Sequence, residues 1–213
     1  MQRFEYLKAT TVEQAVSFLA IRREAAKLLA GGTDLIPGLK NETLAPEYLV
    51  DIKSLPGFDA IRYDEEGLSL GALTTIRAVE TSSLIQNSRP FNVLAQAAST
   101  LGSVQVRNRA TIGGNLCHAS PSADMAPALL ALGATVYLTG PAGARSASIA
   151  EFFTGPGETV AGPDEILTEI RAPKPLIART AGVYIKHSPR GAMDLAVVGV
   201  AVVVFMSPAH GIC

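Results

Sequence analysis

Two pairs of adjacent glycines constrain this chain more than any other feature. One lies in Ala30-Gly31-Gly32-Thr33-Asp34, the other in Thr111-Ile112-Gly113-Gly114-Asn115. Adjacent glycines let backbone N–H groups point into one concavity and let a ligand approach closely. Each pair is flanked by small hydroxyl or amide side chains: Thr33, Thr111 and Asn115. Two such turns can clasp a diphosphate between them, with neutral donors, because neither contains a lysine. The chain holds no G-x-G-x-x-G and no G-x-x-x-x-G-K-[ST], which argues against an ordinary Rossmann dinucleotide site and against a P-loop.

The remaining pattern is mixed α/β. Phe4 to Lys8 reads as a strand. A one-face apolar helix follows, through Val12, Ala15, Val16, Leu19 and Ala20, with Thr10 and Glu13 or Thr11 and Gln14 spaced as a capping box. Lys27 to Ala30 and Tyr48 to Ile52 read as further strands, so the first unit is β-α-β-(turn)-β. After Pro56 and Gly57, Asp59 to Tyr63 and Gly67 to Gly71 form a hairpin closed by the solvated Asp64-Glu65-Glu66. Helices are expected from Thr74 or Thr75 to Thr81, from Phe91 to Leu101 and around Ala123 to Leu132. Ala134 to Leu138 is a strand, Ser148 to Phe153 a helical turn, and Glu165 to Arg171 an extended segment. Pro173-Lys174-Pro175 reads as a linker. Beyond it lie an extended segment, Val183 to Lys186, and the apolar run Leu195 to Met206, expected as a buried strand.

Composition narrows the function classes. Eighteen Lys+Arg against nineteen Asp+Glu leave a net charge of −1, which provides no footprint for nucleic acid or an anionic membrane. The mean hydropathy of +0.27 calls for a membrane check. The longest uncharged run, Met125 to Ala144, is broken by Pro127, Gly133, Gly140 and Pro141, so no membrane span is expected. No signal peptide is visible. Two cysteines, Cys117 and Cys213, make neither a disulfide scaffold nor a four-cysteine metal site, and fit a reducing, cytoplasmic compartment. No G-x-S-x-G is present, so a serine hydrolase is disfavoured.

The stretch LLAGGTDLIPGLK, followed by ATIGGNLCHASPSADMAPALLALGATV, resembles the FAD-binding (medium) subunits of molybdenum hydroxylases, of the carbon monoxide dehydrogenase and xanthine dehydrogenase type. Asp164-Glu165-Ile166-Leu167 and Tyr184-Ile185-Lys186 match in order and spacing. The resemblance implies an α/β (α+β) fold, a vanillyl-alcohol-oxidase (PCMH)-type FAD domain over residues 1–172, with subdomains about 1–55 and 56–172. Residues 178–213 would begin an α+β C-terminal domain that the family makes longer. The expectation is therefore a truncated chain that holds FAD weakly, with Leu195 to Met206 lacking a hairpin partner beyond the turn Ser207 to Cys213.

The resemblance also implies the cofactor contacts. Leu28, Leu29, Ala30, Gly31, Gly32, Thr33, Asp34 and Leu35 match the first FAD-binding stretch, with Gly31, Gly32 and Thr33 at the diphosphate. Thr111, Ile112, Gly113, Gly114 and Asn115 match the second. Leu101 and Gly102 match a pocket-lining position, Asp124 an acidic FAD contact, and Leu167 and Lys186 contacts near the flavin. No catalytic and no metal-ligating residue is expected. Implied partners are a molybdenum-cofactor large subunit, a [2Fe-2S] small subunit and an acceptor such as NAD, quinone or oxygen. The extra iron–sulfur cluster of the 4-hydroxybenzoyl-CoA reductase branch is disfavoured by the cysteine count.

Other residues read more plainly. Asp124 also suits a helix N-cap. Cys117 and His118 read as a small buried thiol and a loop histidine, and His187 and His210 stand isolated. Arg107 and Arg109 read as loop arginines, with contact to a partner or a phosphate left open. Two other classes stay open: a stand-alone FAD oxidase of the same fold, and a non-catalytic assembly subunit. A bulkier residue at Gly32 is expected to abolish cofactor binding if that turn cradles the diphosphate.

Overall fold

The computed structural model describes residues 1–176, 179–190, 193–207 and 211–212. Its first unit runs β1 (Glu5–Lys8), α1 (Val12–Arg22), β2 (Ala26–Leu29), α2 (Leu35–Lys40) and β3 (Tyr48–Asp51). The three strands form a parallel sheet in the order β1-β3-β2. Of the two capping choices, Thr11 caps α1: its hydroxyl accepts from Gln14 N at 3.2 Å, and Gln14 Oε1 accepts from Thr10 N at 2.9 Å. Ala15, Val16 and Leu19 of α1 are buried with Val50 and Ile52. Where a turn was expected between β2 and β3, the chain makes the short helix α2, opened by Ile36 N donating to Gly32 O at 3.0 Å.

The second unit holds β4 (Ile61–Tyr63), β5 (Gly67–Gly71), α3 (Ile76–Thr81), α4 (Ser83–Gln86), α5 (Asn92–Thr100), α6 (Val104–Arg107), α7 (Ile112–His118) and α8 (Met125–Ala131). It continues with β6 (Thr135–Gly140), β7 (Gly143–Ser148), α9 (Ile149–Phe152), β8 (Phe153–Gly155), β9 (Glu158–Thr159) and β10 (Ile166–Pro173). A five-stranded antiparallel sheet runs β4-β5-β10-β6-β7. β6 alternates, with Val136 and Leu138 fully buried. They join a core with Ile76, Val79, Phe91, Leu94, Ile112, Leu116, Met125 and Leu129 from the helices. β7, reading Gly-Ala-Arg-Ser-Ala-Ser, carries no strand signal in sequence and forms as the exposed partner of β6. Pro173 is not linker but the end of β10, paired with Gly67, where its missing N–H costs nothing.

Beyond residue 176 the chain forms β11 (Thr180–His187), β12 (Val198–Ser207) and β13 (Gly211–Ile212), in that order in one antiparallel sheet. The apolar run was expected to be buried. Instead β12 covers only one face: Ala201 and Val203 pack on the main core, while Val198, Val200, Val202 and Val204 are 40–49% exposed. Because both faces are apolar, the period-2 alternation of a half-covered strand is invisible in the residue types. β13 pairs with Met206 and Ser207 of β12. Ala178, the expected start of the C-terminal unit, and His210 and Cys213 lie outside the described residues. Among the described residues no helix is long and apolar enough to cross a membrane.

Candidate functional site

The first glycine segment leaves β2 and enters α2. Gly32 holds φ +77°, a conformation that side chains disfavour. Gly31 is glycine for a different reason. A Cβ there would lie 2.1 Å from the carbonyl oxygen of Arg109 and 3.0 Å from Ala110 Cα. The segment therefore lies directly on the backbone that leads into the second glycine pair. Among the described residues, the N–H groups of Gly31, Gly32 and Thr33 donate to no carbonyl and no side chain. Three amides so placed have no acceptor among the described residues and are open to one supplied by a ligand or by water.

The second segment differs from the expected tight turn. Thr111 is the N-cap of α7, its hydroxyl accepting from Gly114 N at 3.1 Å, and Gly113 and Gly114 sit in the first helical turn. A Cβ on Gly113 would lie 2.7 Å from Ala72 O, so close packing selects the residue. The amides here are occupied. Ile112 N donates to Thr74 O, Gly113 N to Ala72 O and Asn115 N to Thr111 O, each at 2.9 Å. The two glycine pairs are thus not equivalent cradles, because the second offers side chains instead of N–H groups. Asn115 Oδ1 is buried and finds no donor among the described residues.

The two segments border a cleft of about 590 Å³, within the range of small-molecule and cofactor sites. Thirteen of the eighteen expected contact residues line it: Leu28, Ala30, Gly31, Gly32, Thr33, Asp34, Leu35, Leu101, Gly102, Thr111, Gly114, Asn115 and Asp124. Leu29, Ile112, Gly113 and Lys186 do not line it, and Leu167 lines a second pocket of about 280 Å³ that shares Leu28 with the cleft. Sequence reasoning missed Val106, Ala110, His118, Ser120, Ser122 and Ala123, and Arg190, Met193, Asp194 and Leu195 beyond β11. The hydroxyls of Ser-Pro-Ser between the second pair and Asp124 were a usable signal for part of these. At the rim, His118 Nε2 lies 3.9 Å from Asp34 Oδ1, both side chains about half exposed.

Asp124 precedes α8 but makes no capping bond. Its carboxylate is spent elsewhere, accepting from Lys186 Nζ at 3.0 Å and Tyr184 Oη at 2.9 Å, while the Thr100 hydroxyl, 3.4 Å away, is shared with the nearer Ala97 O at 2.9 Å. Lys186 also donates to Thr100 O at 3.1 Å. Both charged side chains are under a tenth exposed. Lys186 is therefore no surface lysine, since it ties β11 to the cleft wall. Burial and the Asp124 carboxylate push the Tyr184 phenol far up, so it stays a donor across the working pH range.

Arg107 is buried, not a loop arginine, while Arg109 is exposed. Cys117 is exposed at the second pocket instead of buried, and His187 ends β11 exposed. Among the described residues no three His, Cys, Asp or Glu side chains converge to hold a metal ion.

The family model described as the FAD binding domain in molybdopterin dehydrogenase matches residues 2–175. The carbon monoxide dehydrogenase medium chain of Hydrogenophaga pseudoflava is 36% identical over 201 residues, 94% of this chain and 69% of that one. The glyceraldehyde dehydrogenase medium chain of Sulfolobus acidocaldarius is 36% identical over 170 residues, 80% of this chain and 59% of that one. Among solved structures, the H. pseudoflava carbon monoxide dehydrogenase lacking the Mo-pyranopterin moiety superposes with a TM-score of 0.91 at 37% identity, over 97% of this chain and 70% of that chain. Quinoline 2-oxidoreductase from Pseudomonas putida 86 gives a TM-score of 0.89 at 28% identity, over 97% and 70%.

Proposed function

The chain belongs to the FAD-binding domain family of molybdopterin dehydrogenases, and from that premise we propose that it carries FAD between the [2Fe-2S] clusters of a small subunit and an external acceptor, in a complex whose molybdenum-cofactor large subunit oxidises the substrate. One observation carries the reading: the amides of Gly31, Gly32 and Thr33 and the buried acceptor Asn115 Oδ1, all without a partner among the described residues, belong to residues that line the same cleft. That donor and acceptor set fits a ligand with anionic oxygens at one place and hydroxyl groups at another, as FAD has. Free N–H groups next to a short helix suit the diphosphate. Asn115 Oδ1 suits a hydroxyl of the ribityl or ribose unit, since an ionised phosphate has no proton to donate.

When bound, FAD supplies the exchange between one-electron and two-electron transfer. The protein's residues bind and orient it. Thr111, with its oxygen already accepting from Gly114 N, keeps its O–H for donation into the cleft. Asp124 keeps spare lone pairs beside its bonds to Lys186 and Tyr184. Leu28, Leu35 and Leu101 exclude water from the apolar part of the wall. No side chain here has to move a proton, in keeping with an electron-transfer role.

Purified chain given FAD and freed of excess is expected to retain flavin absorbance between about 350 and 500 nm. A colourless chain that ignores FAD would refute the reading. A finer test uses Asn115→Leu. It removes a buried unsatisfied acceptor, so the thermal midpoint of the cofactor-free chain should hold or rise, while FAD binds about tenfold more weakly. Unchanged affinity would remove Asn115 from the cofactor site.

A further inference from the structure

We infer that Arg107, which does not line the cleft, is a positioning residue that shapes its wall by holding the carbonyls of Leu101 and Gly102; the inference rests on the FAD reading of the cleft. Arg107 Nη1 donates to Leu101 O at 3.0 Å and to Gly102 O at 3.2 Å. Its Nε donates to Glu80 Oε2 at 2.8 Å. Glu80 also accepts from Arg77, three residues earlier on α3, at 2.9 Å. One guanidinium thus bridges α3 to the two residues that leave α5 and face the cofactor space.

The geometry gives this bridge a consequence beyond stability. Leu101 is the C-cap of α5, and Gly102 holds φ +49°, with Val106 in contact range of any added Cβ. The carbonyls at a helix C-terminus carry partial negative charge and need donors. Arg107 occupies them from behind the wall. Released, their lone pairs would be free to turn into a cleft built for an anionic ligand. The planar fork of arginine reaches two carbonyls and a carboxylate together, which a lysine cannot do. Burial would raise the Glu80 carboxyl, but its bonds from Arg77 and Arg107 hold it below the usual range, so the anchor remains charged.

The test compares FAD dissociation constants, from flavin fluorescence titration of the whole chain, with thermal midpoints of the cofactor-free chain. Arg107→Met is expected to bind FAD about tenfold more weakly. Arg107→Lys, which keeps one carbonyl bond, should recover part of this and bind about threefold more weakly than the unaltered chain. Glu80→Gln lowers the midpoint but leaves the carbonyl bonds, so its affinity should stay within about twofold. If Arg107→Met does not fold, Arg107→Lys against Glu80→Gln decides. Arginine variants that lose thermal stability yet bind FAD as tightly as the unaltered chain would overturn the inference, leaving Arg107 a merely structural residue. An unaltered chain that takes up no FAD overturns the cofactor reading and this inference with it, so the unaltered chain tells the two failures apart.

Discussion

Gly31→Ala is expected to yield a chain without FAD, a larger effect than any alanine substitution at Gly32. The added Cβ would sit 2.1 Å from Arg109 O and 2.8 Å from Arg109 C, well inside any tolerated contact, and the obstacle is backbone. That backbone cannot easily retreat. Arg109 N donates to Val106 O at 3.0 Å, and Ala110 O accepts from Ile76 N at 2.8 Å. The segment carrying the three unbonded amides must therefore lift away, and the cleft opens along its length. Overpacking of this kind typically costs about 1–3 kcal/mol even among side chains that can adjust. At Gly32 the neighbours are the flexible tips of Ile36 and Leu29, at 3.1 and 3.2 Å. Alanine there bears mainly the strain of a left-handed backbone, about 1–2 kcal/mol. Flavin retained per chain after gel filtration measures both. A Gly31→Ala chain with full flavin content, or a Gly32→Ala chain that alone loses it, would reverse the ranking.

That ranking shows where the sequence was legible and where it was not. Adjacent glycines with the same small polar flanks, Thr33 on one and Thr111 and Asn115 on the other, marked both segments. Which glycine matters more depends on a backbone far away in sequence, and no local pattern reports it. The second pair misled in the same way. Glycine lowers helix propensity by about 1 kcal/mol per residue, so Gly113-Gly114 reads as a turn. The contact with Ala72 demands small residues inside α7, and tertiary packing outweighs propensity. Arg107 was equally hidden. A charged residue in a loop-rich stretch is ordinarily exposed, and only the convergence of Glu80, Leu101 and Gly102 explains its burial. By contrast, β2, which brings Leu28 to the cleft, and the sheet strands β5, β6 and β10 formed close to where their residues predicted them.

Lys186→Met is expected to cost about 3–5 kcal/mol, the range for removing one partner of a buried ion pair. The methionine keeps the length and apolar stem of the lysine, so packing changes little. The loss comes from Asp124, left buried with Tyr184 Oη as its one short-range donor among the described residues, since the Thr100 hydroxyl lies closer to Ala97 O, and from Thr100 O, which loses its bond to Nζ. Asp124→Asn alone leaves the ammonium facing a carboxamide, and is also expected to destabilise. The double variant Asp124→Asn/Lys186→Met buries no charge at this point, so its loss should fall short of the sum of the single losses. Urea unfolding of all four chains measures that coupling. The spatial consequence is specific. β11 meets α5 through Tyr184 N donating to Gln96 Oε1 at 2.9 Å, and meets α8 through the ion pair. Breaking the pair loosens β11 beside Asp124, which lines the cleft, so flavin content should fall in both single variants. Strictly additive losses, or single variants with full flavin content and unchanged urea midpoints, would mean that the pair neither fastens β11 nor shapes the cleft.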